Sequence, residues 1–413
     1  MHLIRPFPGL RPVPARAADV AAPPYDVLST AEARDRATGH PWSFLHIGKP
    51  EIDLPPETNP YATQVYATAA ENLKKMLDAG ILLRDSKPCY YVYRLEMEGH
   101  VQTGLVATAS VADYETNRIR KHEFTRPEKE DDRVRQIEAL NAQTGPVLLA
   151  YPSAPEVDAM LEQASLGTPD ADVTLSDGVR HTLWVIADDT VQERLTAAFD
   201  AMPALYIADG HHRSAAAARV ASTRRAADPA PRGTKSYDYF LSVIFPHHRM
   251  KIMDYNRLVK DLNGLSYDEF LMRVTTDFIL ETTVGQVKPT RQCEFGMYLR
   301  ERWHRLSIYL DMLPQQDPVG RLDVSLLQNN LIAPILGITD PRRDKRIDFV
   351  GGIRGLEELE RRVDSHDMAV AFALFPTGMK DLMAVADAGE VMPPKSTWFE
   401  PKLADGLVSH ILD

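Results

Sequence analysis

Residues 204–219 read Ala-Leu-Tyr-Ile-Ala-Asp-Gly-His-His-Arg-Ser-Ala-Ala-Ala-Ala-Arg. The apolar residues 204–208 predict a buried strand, and the alanine-rich residues after Arg213 predict a helix. Gly210 lies in the turn between these elements, where a residue without a side chain lets the backbone approach a ligand. Because the first N–H groups of a helix and its dipole favour negative charge, this turn predicts an anion-binding site.

The polar side chains of the turn suggest what such a site does. An arginine can hold a phosphate or carboxylate through two hydrogen bonds, and an aspartate can bind a metal ion or accept a proton. The alternative is a structural strand–turn–helix whose histidines are merely solvated. The residues that we predict to take part are Gly210, Arg213 and Ser214 for phosphate or nucleotide binding and Asp209, His211 and His212 for catalysis.

The length of the chain, 413 residues, exceeds what one hydrophobic core usually supports, so we expect two domains. We predict an N-terminal α+β domain over residues 1–250, which contains the turn and binds the ligand, and a C-terminal α+β domain over residues 251–413. The helices and strands alternate without regular βαβ repetition, which favours an α+β or mixed α/β fold. The predicted helices are residues 60–80, 190–199, 323–335, 353–363 and 378–387, and the main predicted strands are residues 90–97, 101–111, 145–151, 179–186, 237–245, 295–299, 306–310 and 369–375.

The composition limits the class of partner. Hydrophobic residues make up 44% of the chain and charged residues 25%, as in ordinary globular proteins. The formal charge of −11 argues against nucleic-acid binding, so a small phosphorylated ligand in a local positive pocket is the expected partner. No apolar run reaches membrane-spanning length and no signal peptide is evident, so we expect a cytoplasmic protein without a membrane partner. A homodimer is left open.

A second charged cluster covers residues 118–133. His122 and Glu123 offer a base or metal ligand. We assign His122 to substrate binding and Glu123 to catalysis. Glu123 and Asp209 are the predicted metal ligands. Lys129 and Arg133 offer contacts to phosphate or nucleotide. The alternative is a solvated loop followed by the start of a helix.

Two further basic stretches are candidates for the same pocket. Residues 247–249 read His-His-Arg at the end of a predicted strand, and we assign His248 and Arg249 to substrate binding. Strands that end at the same edge of a sheet would bring this group and the turn to one crevice. Lys395, in a proline-braced segment near the C-terminus, is a candidate phosphate contact. A solvated strand end and a structural tail are the respective alternatives.

The segment at residues 223–233 is rich in arginine, alanine and proline. We predict a mobile loop there, either a lid over the turn or a plain disordered connection.

The chain resembles a bacterial and archaeal family catalogued as a domain of unknown function, number 1015. The resemblance covers almost the whole chain, and separated motifs carry it in one order. These motifs are Phe7-Pro8-Gly9-Leu10-Arg11-Pro12, Pro23-Pro24-Tyr25-Asp26-Val27, His122-Glu123 with Lys129 and Asp132-Arg133, Asp209-Gly210-His211-His212-Arg213, Tyr255-Asn256-Arg257 and Pro394-Lys395-Ser396-Thr397.

The turn at residues 209–213 is also similar to a loop of the ParB and sulfiredoxin-like fold, which includes free-serine kinases. This resemblance implies a ParB-like central region, a phosphate at the helix N-terminus, and a nucleotide with Mg²⁺ as cofactors. It also makes serine or phosphoserine a candidate small molecule. The acidic charge of this chain departs from the DNA-binding branch of that fold.

Three functions follow as hypotheses. The first is a phosphoryl-transfer enzyme that acts on a small hydroxylated metabolite, with free serine as a candidate, and uses ATP or ADP with Mg²⁺. The second is a metal-dependent phosphatase or other hydrolase, with the histidines and carboxylates of the two clusters around its metal. The third is a nucleotide or metabolite sensor without turnover.

Overall fold

The structure, a computed structural model, describes residues 1–229 and 232–413. These residues form two compact units, Met1–Met250 with Pro401–Asp413, and Lys251–Glu400. Residues 401–413, which the sequence analysis places in the second domain, therefore belong to the first unit. No helix of the described residues is long and apolar enough to cross a membrane.

The strands and helices are numbered in chain order. The described strands are β1 Ile4–Arg5, β2 Leu10–Pro12, β3 Leu82–Arg84, β4 Tyr90–Met97, β5 His100–Ser110, β6 Ile119–Arg120, β7 Ala142–Gln143, β8 Val147–Tyr151, β9 Ala171–Thr174, β10 Arg180–Ile186, β11 Leu205–Asp209, β12 Tyr239–Pro246, β13 Lys251–Met253, β14 Tyr255–Val259, β15 Phe278–Thr282, β16 Glu294–Leu299, β17 Arg302–Ile308, β18 Ile347–Gly351, β19 Val370–Leu374, β20 Trp398–Glu400 and β21 His410–Ile411. The described α-helices are α1 Ala17–Val20, α2 Thr30–Ala37, α3 Leu45–Gly48, α4 Thr63–Asp78, α5 Val111–Glu115, α6 Pro127–Leu140, α7 Pro155–Ala164, α8 Asp189–Asp200, α9 His211–Ala227, α10 Tyr267–Val274, α11 Asp323–Leu327, α12 Glu357–Asp364 and α13 Met379–Asp387.

The first unit is built on a mixed sheet. Within the described residues its order is β6-β11-β8-β12-β5-β4-β10-β9, and β1 pairs with β5. Strand β12 pairs in parallel with β8 and antiparallel with β5, and all of its residues are buried, as expected for a strand covered on both faces. Parallel and antiparallel pairs in one sheet, together with helices, confirm the mixed α+β class.

Helix α9 carries the predicted alanine run. Ala216, Ala217 and Ala221 are buried, and such small side chains let the helix approach the sheet closely. Arg219 binds Glu130 (2.9 Å) and Asp131 (2.7 Å) on helix α6, which ties the two helices together.

The end of α9 corrects the predicted loop. The helix continues through Ala227, so residues 223–227 are helical rather than part of a mobile segment. The lid predicted over residues 223–233 includes residues 230 and 231, which lie outside the described residues.

The two ends of the first unit meet beside α6 and α9. The main chains of Leu10 and Ser409 exchange hydrogen bonds, as do those of Ala22 and Asp405. Strand β21 then pairs antiparallel with β7, directly after α6. These pairings hold the proline-rich N-terminal segment and residues 401–413 against each other, next to the start of α9.

The second unit contains an antiparallel sheet. Its described order is β15-β17-β16-β19-β14-β18. Buried Leu359 and Val363 of α12 belong to the same apolar cluster as Leu258 and Ala371 of this sheet. The helix predicted for residues 323–335 exists as α11, continued by a π-helical stretch over Gln328–Ile332.

Gly104 tests the packing of the central sheet. A Cβ atom on this residue would lie 2.7 Å from the carbonyl oxygen of Ile244 in β12, a backbone atom that cannot easily move. We expect Gly104→Ala to lower the free energy of unfolding by about 1–3 kcal/mol, as overpacking does. Urea denaturation followed by circular dichroism measures the change.

Gly167→Ala is the matched control, because a Cβ there meets nothing within 4 Å among the described residues. Equal stability of the two variants would contradict the close packing of β5 on β12.

Candidate anion-binding site

Two arginines lie around the ring of Tyr25. The guanidinium carbon of Arg133 is 4.0 Å from the ring centroid, and that of Arg213 is 5.5 Å from it. Their side chains are 14% and 11% exposed, so both charges are largely removed from water. A buried charge is stable only where partners compensate it, so both arginines need acceptors close by.

Arg213 uses its terminal nitrogens but not its inner one. Nη1 donates to the carbonyl oxygen of Pro146 (2.7 Å), and Nη2 donates to Oδ2 of Asp26 (3.0 Å). The Nε atom is buried and has no hydrogen-bond partner among the described residues. Burial opposes the charge of Arg213, but Asp26 and the neighbouring Tyr25 more than compensate and raise its pKa. The guanidinium therefore stays charged and keeps one donor available.

Arg133 is held by its neighbour in the chain. Its Nε and Nη2 atoms donate to Oδ2 of Asp132, at 2.9 and 2.6 Å. Asp132 in turn accepts the hydroxyl proton of Tyr66 from helix α4 (2.8 Å). The position of Arg133 is thus fixed from two helices.

These groups line a small cavity, which we call the arginine cavity. Its volume is about 30 Å³, room for about two water molecules. Its polar lining consists chiefly of Tyr25, Arg133, Gln143, Gly145, Arg213 and Asp405.

Asp405 brings a carboxylate into the arginine cavity. It is 5% exposed, and its Oδ1 atom has no hydrogen-bond partner within the described part of the chain. Burial raises its pKa to about 7, against the opposing effect of Arg213. The main-chain pairing with Ala22 fixes its place.

The predicted turn forms the edge of the cavity. Gly210 has φ +96°, a left-handed conformation that strains other residues, and it is the N-cap residue before α9. Asp209 Oδ1 accepts the N–H of Gly210 (2.8 Å), and Oδ2 lies 3.6 Å from Nζ of Lys402. Burial favours the neutral acid, but Lys402 and Arg213 hold the pKa of Asp209 below its usual value. The Asp209 side chain is 41% exposed, so it is an ionised and accessible carboxylate.

The two histidines of the turn bind the loop before α6. His211 Nε2 accepts the main-chain N–H of His122 (3.4 Å), and His212 Nε2 accepts that of Arg126 (3.0 Å). Burial lowers the pKa of both rings. Neutral rings that already accept main-chain N–H groups position this loop. Their catalytic role remains a prediction.

The loop also places two predicted residues beside His211. Oε2 of the exposed Glu123 is 3.6 Å from Nδ1 of His211, and the ring of buried His122 meets that of His211 edge-on at 4.4 Å. Burial lowers the pKa of His122 to about 4. His122 and Glu123 thus lie next to the turn, and their roles in substrate binding and catalysis stay predictions.

Other predicted contacts face elsewhere. The buried hydroxyl of Ser214 donates to the carbonyl of His211 (3.0 Å) inside its own helix. Lys129 lies on α6, one helical turn before Arg133, and is exposed. Its Nζ atom donates a hydrogen bond to the hydroxyl of Tyr61 (2.9 Å).

The His-His-Arg group at residues 247–249 does not share the crevice of the turn. Strand β11 runs antiparallel to β8, which runs parallel to β12, so β11 and β12 end at opposite edges of the sheet. The expected convergence is therefore corrected. His248 instead lies 3.9 Å from Asp158 of α7, and Arg249 lines a separate cavity with that residue.

Lys395 belongs to the second unit. It has φ +59°, and its ammonium lies 5.5 Å from the ring centroid of Tyr255. Its role as a phosphate contact remains a prediction.

The described residues contain no group of three or more His, Cys, Asp or Glu side chains arranged to hold a metal ion. Asp209 and Glu123, predicted as metal ligands, are accounted for by contacts with Lys402 and His211. The residues present therefore do not fit a metal site made by protein ligands alone.

Sequence reasoning missed residues that line the cavity. Tyr25 lines the cavity and the next residue, Asp26, pairs with Arg213. Both stand in a quoted motif, and the two prolines before them were the available signal. Asp405 and Gly145 carry no local pattern, because chain pairing alone brings them to Arg213.

The profile of a family described as "Protein of unknown function (DUF1015)" matches residues 4–325. No curated protein sequence matches the chain.

Solved structures show distant likeness only. A free serine kinase in complex with AMP has 12% identity and TM-score 0.33, with 73% of this chain and 92% of that chain covered. A conserved hypothetical protein from Pyrococcus furiosus has 14% identity and TM-score 0.34, with 73% and 94% covered. SbnI from Staphylococcus aureus, truncated at its C-terminus, has 13% identity and TM-score 0.37, with 73% and 86% covered.

His122 gives the site a pH dependence. Its pKa of about 4 in the folded state lies below the ordinary value of 6.5. Between these two pH values the unfolded chain binds a proton at His122 that the folded chain does not. The stability contributed by neutral His122 is therefore present above pH 6.5 and is lost as the pH falls toward 4. As the pH falls through this range, we expect the free energy of unfolding of the wild type to decrease, relative to that of His122→Asn, by up to about 1.4 kcal/mol per pH unit.

Urea unfolding across this pH window measures the difference. Gly167→Ala provides the control because it changes no titratable group, and it should follow the wild-type pH dependence. A His122→Asn variant whose pH dependence also parallels the wild type would show that His122 is not held neutral by burial.

Proposed function

This chain belongs to the DUF1015 family, whose description assigns no activity, and we propose that it is a phosphoryl-transfer enzyme acting on a small hydroxylated metabolite. The acceptor class includes free serine, and the donor is a nucleotide. The observation that carries the proposal is the buried Nε of Arg213, which is unpaired among the described residues and lies in a cavity shared with Arg133.

The arginines supply the phosphate contacts. Guanidinium groups bind phosphate oxygens through parallel charge-assisted hydrogen bonds, which are stronger where water is excluded. Asp26 accepts from Arg213 and is 42% exposed, so it occupies a position that a phosphate oxygen can take over. The N–H groups of His211 and His212 come before the first N–H that binds Gly210, that of Arg213 (2.9 Å), and they favour the same negative charge.

Asp209 receives the proton. The acceptor hydroxyl oxygen forms a bond to the γ-phosphorus while the bond from that phosphorus to the bridging oxygen breaks, and the nucleoside diphosphate leaves. The hydroxyl proton passes to the ionised carboxylate of Asp209, whose accessibility supports this role. Because the transition state of phosphoryl transfer needs little basicity, a carboxylate of low pKa suffices when it orients the hydroxyl.

The remaining groups position the loop beside the turn and neutralise charge that develops during the transfer. His211 and His212 fix the loop that carries Glu123, a second candidate proton acceptor. Lys129 precedes Arg133 by one helical turn on α6, and such residues lie on the same face of a helix. Both would offset charge that develops during transfer.

The cofactors fit in part. A cavity of about 30 Å³ takes only the phosphate end of a nucleotide, so the nucleoside would lie outside it. Mg²⁺ commonly takes one or two carboxylates together with substrate phosphates, so it would depend on the nucleotide for ligands. When bound, it would offset phosphate charge. No step above depends on it.

We do not propose the metal-dependent hydrolase. Its histidine ligands would need a ring nitrogen with a free lone pair. Nε2 of His211 and of His212 each accept a main-chain N–H, so Nδ1 of the neutral ring carries the proton and offers no lone pair to a metal ion.

Arg213→Lys tests the proposal. The lysine keeps the positive charge but loses the planar fork, so we expect the affinity for ADP to fall about tenfold or more, as loss of a charge-assisted hydrogen bond does. Formation of phosphoserine from ATP and L-serine should fall at least as much. Calorimetric titration and a phosphoserine assay measure the two quantities.

Arg219→Lys is the matched control on the same helix, because its side chain is exposed and pairs with α6. It should keep wild-type affinity and turnover. Unchanged ADP binding and turnover in Arg213→Lys would rule the proposal out, whereas wild-type binding without product for any hydroxylated acceptor would identify a sensor.

A further inference from the structure

The second unit contains a buried cation without an acidic partner. Arg257 of β14 is 5% exposed, and burial lowers its pKa to about 10. Its guanidinium donates to two main-chain carbonyl oxygens, that of Tyr255 and that of Pro394, the latter at 3.4 Å. Among the described residues no acidic side chain forms an ion pair with Arg257. Neutral oxygens alone therefore surround a charge that has been taken out of water.

Such an arrangement costs stability. Removing a guanidinium from water is unfavourable, and carbonyl oxygens compensate its charge less than an anion does. An apolar residue of similar size would avoid this cost. Arg257 belongs to the Tyr255-Asn256-Arg257 motif, which neither the arginine cavity nor the proposed reaction uses. The missing negative charge points to an anionic ligand.

Lys395 brings a second positive charge to the same tyrosine. Its ammonium lies 5.5 Å from the ring centroid of Tyr255, and the residue follows Pro394, whose carbonyl accepts from Arg257. Within the described part of the chain, no acidic side chain pairs with Lys395 either. The residue is exposed, so an anion from solvent can reach it. Two cations that lack acidic partners are therefore neighbours of Tyr255.

The backbone at Lys395 is a separate observation. Its φ of +59° lies in the left-handed region, where glycine or asparagine is favoured. The hydroxyl of Ser396 donates to the carbonyl of Pro393 (2.6 Å), which holds the turn in place. A glycine would relieve the strain at this position, and strained residues persist at sites where their side chains are used. The lysine side chain therefore has a use that offsets its backbone strain.

We infer that the second unit has a phosphate-binding site of its own, formed by Arg257 and Lys395. A phosphate monoester carries about two negative charges at pH 7, which matches two cations without acidic partners. The planar guanidinium binds phosphate oxygens through directed hydrogen bonds, and the ammonium binds them as a point charge. This inference is independent of the proposed function, because neither residue belongs to the arginine cavity.

Trace acetylation of lysines tests the site directly. The full chain is treated with a small amount of acetic anhydride at increasing concentrations of inorganic phosphate, and mass spectrometry quantifies the acetylated peptides. We expect phosphate to protect Lys395, because a bound anion occupies its ammonium. Arg257→Met should raise the phosphate concentration for half-protection about tenfold or more, as loss of a charge-assisted hydrogen bond does. Lys380, exposed on α13, is the internal control and should not respond to phosphate.

Thermal unfolding separates a ligand-binding arginine from a structural one. In phosphate-free buffer Arg257→Met should unfold at the wild-type temperature or above it, because the substitution removes an uncompensated buried charge. A lower unfolding temperature would show that the fold itself requires the arginine, and it would overturn the inference. Arg343→Met is the matched control, since Arg343 is an exposed arginine of the same unit that pairs with Asp340. It should keep the wild-type protection of Lys395.

Further ligands define the class of anion. Malonate, a dicarboxylate of similar charge, should protect Lys395 only weakly, and protection equal to that by phosphate would overturn the choice of phosphate. Half-protection at a lower concentration of glycerol 3-phosphate than of inorganic phosphate would assign the site to a monoester, and the reverse order to free phosphate.

The readout at Lys395 keeps this site apart from the arginine cavity. Arg213→Lys should leave the protection of Lys395 unchanged, so the proposed function can fail while this inference stands. Absence of protection by phosphate in the wild type, or equal protection in the wild type and Arg257→Met, overturns the inference.

Discussion

The buried charge of Arg213 is the constraint on which the rest of the site depends. Taking a guanidinium out of water is costly, and three separate parts of the chain reduce the cost: the Tyr25–Asp26 segment, the carbonyl of Pro146, and Asp405. Each part is brought to the start of α9 by main-chain pairing rather than by local sequence. The chain topology therefore builds the site by bringing these segments to the guanidinium of Arg213.

The sequence predicted the elements that obey local rules. Strand β11 follows from its apolar run, and helix α9 follows from the helix propensity of its alanines. The turn between them follows from Gly210, which can adopt the left-handed conformation, and Arg213 lies in the first turn of α9. The hairpin of β4 and β5 and helix α4 also follow from periodicity. The family indicated by the quoted motifs is confirmed over residues 4–325, which do not include the motif at residues 394–397.

Long-range geometry escaped sequence reasoning. The direction of β12 relative to β11 decides whether residues 247–249 meet the turn, and no pattern within either strand contains that direction. The histidines illustrate a second limit, since their composition suggests catalysis but their ring nitrogens bind the main chain of a loop. Asp405 illustrates a third limit. A single acidic residue shows no sequence pattern that would place it in the site, and only its main-chain pairing with Ala22 brings it there.

The return of residues 401–413 to the first unit has a consequence for the order of synthesis. In the sequence the second unit, residues 251–400, is an insertion between two pieces of the first. A nascent chain that has already made Arg133 and Arg213 still lacks Asp405 until all of the inserted unit has been translated. Closure of so long a loop is also slow. The arginine pair must therefore exist for a time without its buried carboxylate, and the arginine cavity is among the last parts of the growing protein to be completed.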